Sequence, residues 1–319
     1  MPVVCSAENL VTSRHPRRGF CPDCLEGDIQ LGDHFFNTVD EFGTFWSIND
    51  IDGWWNLPDP DIPDITRGID DGSYETRGRY SARVFTLTGS FWPASPSDVR
   101  TARDRLIRAA NLCHYGAWFA THEADATRAS KVWLSGRPNI ATVLDNGRTD
   151  FSIGLKSPDP VKYGLFDRQL PGWNIAALRS SSSTADFGRV YDRTYPWAYP
   201  NVPTGGVLAD TATVTNDGNV RVSPIITVYG PTLGPIDIHN ITTDQTMRVR
   251  TGLGSDETLI IDCQNRTVTL NDIPNKRFYL DTVTDWIYLD PGANRFNYTE
   301  ETGSSSSFVT VQWRSGWIG

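Results

Sequence analysis

Apolar and polar residues alternate with a period of two along most of this chain, and in one place the period lengthens to that of a helix. Across Arg83–Trp92, Phe85, Leu87 and Phe91 fall on one side, and Val84, Thr86, Thr88 and Ser90 on the other. That pattern predicts a half-buried strand, which Pro93 ends. Upstream, Asn37–Ile48 predicts two short strands about a turn near Asp40–Gly43, and Asp52-Gly53 predicts a second turn. After Trp54-Trp55 comes the run LPDPDIPD, where Pro58, Pro60 and Pro63 each lack a backbone donor, so a loop is expected. The helical stretch follows. Ser95 is a natural N-cap, Pro96 suits the first helical position and Asp98 favours the first turn. Val99, Ala102, Leu106, Ala109 and Leu112 then form one apolar stripe, while Arg100, Arg103, Arg105 and Arg108 take the remaining faces. The bland reading of those arginines is a solvated surface; the sharper one is an oligomer contact.

Further strands are expected at Ala117–Thr121, Lys131–Ser135 and Asp150–Lys156, before Ser157-Pro158-Asp159-Pro160 breaks the chain and Asp167–Ser183 runs on as loop. The remainder reads as almost wholly β. Thr211–Thr215 and Arg221–Tyr229 flank the turn Asn216-Asp217-Gly218-Asn219, and Thr258–Cys263 and Arg266–Leu270 form a hairpin across Gln264-Asn265. Arg277–Leu280, Trp286–Leu289 and Phe308–Trp313 complete the expected strands, the last with Val309, Val311 and Trp313 on one side. No internal repeat is visible. The fold class is therefore mainly β. An irregular N-terminal arm covers 1–30. A β-rich domain with one helix covers 31–165, and a β-sandwich or jelly roll covers 166–319.

Composition narrows the function. A chain of 319 residues is long enough for two cores without covalent staples. The net charge of −9 argues against a general nucleic-acid binder. Of 29 basic residues only four are lysines, a bias that a GC-rich genome or forked arginine contacts at interfaces would each produce. With 11 Trp, 11 Tyr and 14 Phe, aromatics are abundant enough to serve both core and interface. No run approaches the roughly 18–20 apolar residues of a membrane span, and the N-terminus lacks a signal-peptide core. Synthesis and assembly in a cytosol are expected, with Cys5, Cys21, Cys24, Cys113 and Cys263 mostly free thiols.

A search for catalytic chemistry returns little. The nucleophile elbow, the P-loop, the dinucleotide fingerprint and the zincin motif are all missing. His122-Glu123 near Asp125 reads as loop polarity. A glycosidase needs paired acids, and Asp50, Asp52, Asp59, Asp61 and Asp64 are candidates, but they sit in and beside a proline-broken loop where acids cap turns. Cys21-Pro22-Asp23-Cys24 has zinc-knuckle spacing, with Cys5, His15 and His34 as further ligand candidates; the alternative is free thiols in an interface arm. Trp173, Trp197, Trp286 and Trp313 could stack on sugars, although tryptophans in a sandwich more often form core. No catalytic, cofactor or metal residue is assigned.

Several stretches taken in order resemble the distal tail proteins, or Dit-type minor tail proteins, of long-tailed siphophages, and look closest to those of phages infecting actinobacteria. They are Phe36-Asn37 with Asp40–Trp46 and Ile51-Asp52-Gly53; Asp71-Gly72-Ser73 followed by Arg83–Trp92 and the helix; and Asp159-Pro160-Val161-Lys162-Tyr163. Further on come Tyr195-Pro196, Asn216–Asn219 and Pro224–Gly230, then Ile260-Ile261-Asp262, Arg266-Thr267-Val268, Trp286 and Leu289–Asn294, and finally Val309–Trp313. The resemblance spans about 35–319, and the first 30 residues exceed the usual pattern. It implies a ring-forming belt domain followed by a galectin-like β-sandwich, in a structural virion protein at the tail tip, assembled in the host cytoplasm and not an enzyme. Its partners would be itself, as a hexameric ring, together with the tail tube protein, the tape measure protein and the baseplate hub. DNA would pass through the ring without sequence-specific recognition, a passage that net negative charge would suit. A host-wall carbohydrate-binding module is the alternative reading. For the ring, Trp46, Trp54, Trp55 and Phe91 are the expected aromatic anchors, and the stiff loop 57–65 is expected to reach a neighbour.

Overall fold

The computed structural model describes residues 28–122, 127–141, 148–165, 173–178, 211–282, 284–300 and 307–319. The chain divides into two compact units, Met1–Leu170 with Trp317–Gly319, and Pro171–Gly316.

Strands of the first unit are β1 (Asp28–Leu31), β2 (His34–Phe36), β3 (Thr38–Val39), β4 (Phe45–Asp52), β5 (Pro60–Asp61), β6 (Ile65–Thr66), β7 (Ser73–Tyr74), β8 (Arg79–Tyr80), β9 (Arg83–Trp92), β10 (Ala117–His122), β11 (Thr127–Leu134), β12 (Asn139–Ile140), β13 (Thr149–Ser157) and β14 (Lys162–Leu165). Its main sheet runs β2-β1-β10-β11-β13-β9-β4-β3, with β12 on β13 and β14 on β11. The ends of that path, β2 and β3, are separated in sequence by Asn37 alone, so the sheet curls back on itself. Asn37 takes a left-handed φ of 59°, which asparagine tolerates, and its Oδ1 accepts the Ile48 amide at 2.9 Å.

The inward face of this sheet is aromatic. Trp46, Trp54, Phe91 and Phe119 are fully buried, with Trp54 edge-on to Phe119 at 4.8 Å and Trp46 at 5.0 Å from Phe91. Three of the four residues expected as interface anchors, Trp46, Trp54 and Phe91, are therefore core of their own subunit; only Trp55 is exposed, at 45%. A period-two pattern identifies the buried face but not whether folding or association buries it.

The expected strand Arg83–Trp92 forms with those bounds, and the helix forms as α1 (Val99–Ala110) behind a 3-10 turn at Pro96–Asp98. Ser95 does not cap it: its Oγ meets Ser97 Oγ at 2.9 Å instead. The buried stripe is Val99, Ala102, Leu106 and Ala110, with Leu112 just beyond, and Ala109 is only half-buried. Replacing Leu106 with Ala removes the centre of that stripe, so a loss of about 2–5 kcal/mol is expected by urea unfolding, against less than about 0.5 kcal/mol for exposed Arg100→Ala.

The second unit is antiparallel throughout its described strands: β15 (Asn174–Leu178), β16 (Thr211–Asn216), β17 (Ile225–Tyr229), β18 (Ile236–Asn240), β19 (Gln245–Val249), β20 (Thr258–Asp262), β21 (Thr267–Leu270), β22 (Gly292–Glu300) and β23 (Phe308–Trp313). They form two sheets, β15-β23-β17-β20-β21 and β16-β22-β18-β19. Ile226, Val228, Ile261, Val309 and Val311 are fully buried on one sheet, and Val214, Ile238, Met247, Phe296 and Tyr298 on the other. Each sheet thus has one apolar face to hide, which is the arrangement of a β-sandwich. Its turns are sealed by side chains. Asn216 Oδ1 accepts the Gly218 amide at 3.1 Å while its Nδ2 donates to the Val220 carbonyl at 2.8 Å.

Two expected strands are absent here. Arg277–Tyr279 is a 3-10 turn, and Leu280 makes only an isolated bridge to Val249. Of Trp286–Leu289, only Leu289 bridges, to Val222. The edge of β19 is closed by irregular chain and a side chain together: the Asp281 and Asp285 amides donate to the Arg248 and Thr246 carbonyls at 2.9 and 3.0 Å, and Thr284 Oγ1 accepts from the Arg248 amide and donates to its carbonyl, both at 3.2 Å.

Candidate assembly surface

Between β4 and β9 the chain leaves the main sheet. β5 pairs with β8 and β6 with β7, making a narrow hairpin arm. The loop expected at 57–65 is therefore partly regular. Pro60 fits because a two-stranded ribbon has an open side that needs no donor. Thr76 ties the arm across by donating its hydroxyl to the Pro63 carbonyl. Every residue from Asp59 to Glu75 is exposed. Among them Ile62 is 61% exposed, Ile65 54%, Ile69 100% and Tyr74 59%, so the arm has no core of its own. An isolated two-stranded hairpin is marginal in water, and bare isoleucines of this kind mark a surface made to be covered.

The root of the arm, by contrast, is rigid. Arg83 is 1% exposed and its guanidinium reaches main-chain carbonyls on both sides: Nη1 donates to Trp54 at 3.0 Å and Asn56 at 2.6 Å, Nε and Nη2 to Pro160 at 3.2 and 3.1 Å. Lys162, fully buried, donates from Nζ to the same Trp54 carbonyl at 2.8 Å and sits 4.6 Å from the Trp54 ring. Burial lowers the Arg83 pKa, but a guanidinium stays charged, so these carbonyls replace water around it. Sequence reasoning missed both residues. Only Lys162 carried a signal, as a lysine in a chain with four.

The other sequence candidates disperse. Asp50 and Asp52 lie on β4 while Asp59, Asp61 and Asp64 are exposed along the arm. His122 is buried, meeting Thr127 Oγ1 at 3.1 Å and Gln30 Oε1 at 3.2 Å; Glu123 and Asp125 lie outside the described residues. Cys5, His15, Cys21, Cys24 and Trp197 also lie outside them, as does nearly all of the arm 1–30. Among the described residues no group of three metal-binding side chains occurs, and Cys113 and Cys263 are free thiols. Trp173 is 38% exposed with the Arg314 guanidinium 3.9 Å from its ring, Trp286 faces Arg277 at 5.1 Å, and Trp313 is 7% exposed and donates from Nε1 to the Thr215 carbonyl at 2.8 Å.

His34 packs edge-on against Trp46 at 4.5 Å and Phe36 at 4.7 Å, and its buried Nε2 has no hydrogen-bond partner. Burial outweighs the attraction of Asp40 and, with Arg105 nearby, pushes its pKa down to about 4. Asp40 and Arg105 face each other across a 3.2 Å ion contact beside it, with Arg105 Nη2 donating to Thr44 Oγ1 at 2.7 Å.

Two outcomes follow. The unfolded chain protonates His34 near pH 6.5 whereas the folded chain resists until about 4. Stability should therefore be full above pH 6.5, fall by up to roughly 3 kcal/mol toward pH 4, then level off. Urea midpoints of His34→Phe should fall less over that window, and an equal fall would reject the assignment. Arg83→Met leaves buried carbonyls without donors and should cost about 3 kcal/mol or more, while accelerating proteolytic cleavage between 57 and 82. Cleavage unchanged from the parent chain would show that the clamp does not hold the root.

Residues 217–317 match the family model described as siphovirus-type tail component, C-terminal domain. Comparison with curated protein sequences returned no match. Among solved structures, the chain is similar to the crystal structure of SPP1 Dit, described as a paradigm of the hub adsorption apparatus in phages infecting Gram-positive bacteria. The TM-score is 0.57 at 13% identity, covering 84% of this chain and 92% of that one. Chains of the phage P2 baseplate in its activated conformation also align. With calcium the TM-score is 0.43 at 10% identity over 90% and 98% of the two chains; with strontium it is 0.41 at 10% over 90% and 97%. Those two values are too low to bear on the fold. Residues 217–317 thus resemble a siphovirus-type tail component domain, and the chain as a whole is similar in fold to SPP1 Dit.

Proposed function

We propose that this chain is a structural protein of the siphovirus tail tip that assembles with itself into a ring joining the tail tube to the baseplate hub. The observation that carries the ring is the arm: a hairpin without a buried residue between Asp59 and Glu75, held by a rigid root, in a chain of Dit-type fold. Such an element gains stability only by covering itself on another surface. In this reading 31–165 is the ring-forming belt domain, 166–319 is a galectin-like sandwich, and 1–30 is an N-terminal arm. The ring is a hexamer, with the tail tube protein, tape measure protein and baseplate hub as neighbours and the genome passing through it. The role is mechanical and not catalytic. Copies meet through unlike surfaces related by rotation, which closes a ring when the angle divides the circle.

Mass measurement and negative-stain imaging of the full chain test this, with hexameric rings expected. A monomer at every concentration up to the solubility limit would end the proposal. Removal of the arm separates folding from assembly. The Ser81 amide donates to the Asp59 carbonyl at 2.8 Å, so a short glycine turn can replace 60–80. The shortened chain should keep its unfolding midpoint and stay monomeric. If it still forms rings, the arm is not the assembly element.

A further inference from the structure

The arm is acidic as well as apolar. From 57 to 82 it carries six carboxylates, Asp59, Asp61, Asp64, Asp70, Asp71 and Glu75, against three arginines. Its first half intersperses acids with apolar residues along Asp61-Ile62-Pro63-Asp64-Ile65. A surface of the opposite character lies on the outer side of the main sheet. Val84 on β9 stands opposite Lys156 on β13, Lys156 stands opposite Trp133 on β11, and Lys131 stands opposite Trp118 on β10. Lys131 and Lys156 are exposed, Val84 is 55% exposed, and Lys131 Nζ sits 5.5 Å from the Trp133 ring. Two of the chain's four lysines thus share one face with an aliphatic and an indole. The Trp133 ring packs against the backbone at Gly116, where a Cβ would come within 2.7 Å of it. The nearest carboxylate in register, Asp52, is one row further along, opposite Thr86.

We propose that the acidic arm of one copy docks on the Val84–Lys156–Trp133–Lys131 face of a second copy of this chain, its carboxylates toward the lysines and its exposed isoleucines toward Val84 and Trp133. This rests on the self-assembly reading above. Lys131 and Lys156 are one strand apart and two residues out of register, roughly 8 Å between Cα atoms, so both can face one acidic segment of a neighbour. The contact joins unlike surfaces, so each copy gives an arm and receives one, as a rotationally closed ring requires. Partly desolvated carboxylate–ammonium pairs over an apolar centre favour one register and are weakened by salt.

A charge swap tests it. K131E/K156E and D61K/D64K change exposed positions only, so each should retain the parent's unfolding midpoint and far-ultraviolet spectrum. Each alone should weaken assembly at least tenfold in sedimentation or light scattering. An equimolar mixture should recover it, because each variant then offers the surface its partner needs, with copies alternating around the ring. Assembly of both variants at parental strength would overturn the docking while leaving self-assembly intact. So would a mixture that stays dissociated although both variants are folded. A parent chain that never associates would sink the ring itself.

Discussion

Everything outward-facing in the N-terminal unit depends on how two buried cations are solvated. Arg83 and Lys162 are withdrawn from solvent, where an unsatisfied charge would cost several kcal/mol. The Trp54 carbonyl accepts from both, and the Asn56 and Pro160 carbonyls complete the guanidinium's shell. The benefit runs both ways. Those carbonyls belong to irregular chain with no ladder to join, and without the cations they would be orphaned. The chain can therefore leave the sheet at Gly53 and re-enter it at Arg83 along a fixed direction. Trp54 adds the apolar half, seated against Phe119 and Phe85 at 4.8 and 5.0 Å and lying under the Lys162 ammonium.

This root explains why so bare an arm can be useful. Between Asp59 and Glu75 no side chain is withdrawn from water, so the arm draws almost nothing from the hydrophobic effect in a single subunit. Its conformational freedom is curtailed instead by prolines at 58, 60 and 63 and by the tie from Thr76 to Pro63. A segment already stiff and already aimed loses less entropy on docking, which is the advantage of preorganisation. Stiffness at the root and nakedness along the arm thus belong to one arrangement.

The sandwich unit solves its polar problems differently. Tyr298 and Ser307 hydroxyls meet at 2.7 Å, and Ser307 donates to Glu300 Oε2 at 3.2 Å, so buried polar atoms at one end of the core satisfy one another. Glu300 Oε1 also accepts the Leu233 amide at 3.0 Å, fixing a loop to a strand. Asn294 repeats the device, donating to the Asp290 and Gly292 carbonyls at 2.8 and 3.0 Å while accepting the Asp290 amide at 3.0 Å. The result is a domain whose loops are pinned from within.

Local pattern was enough for a good share of this. Period-two alternation located Arg83–Trp92 residue for residue, because one face of that strand is fully buried and a slip of one position would invert it. Helical spacing located α1, and asparagine and glycine marked the turn at 216–219, because those preferences are written in a few neighbouring residues. Pattern alone overlooked β18, β19 and β22 and read β15 as loop, and it offered strands at 277–280 and 286–289, where single bridges, a few main-chain hydrogen bonds and a threonine side chain do the pairing. Whether a short alternating segment finds a ladder partner depends on chain far away. The same limit misplaced Trp46, Trp54 and Phe91, whose size says that they must be covered but not by what. The arm lies furthest from sequence reasoning, since its isoleucines look like core residues in any window. Only the tertiary structure, by closing the core without them, decides that they face outward, because burial is a property of the whole packed chain and not of the residue.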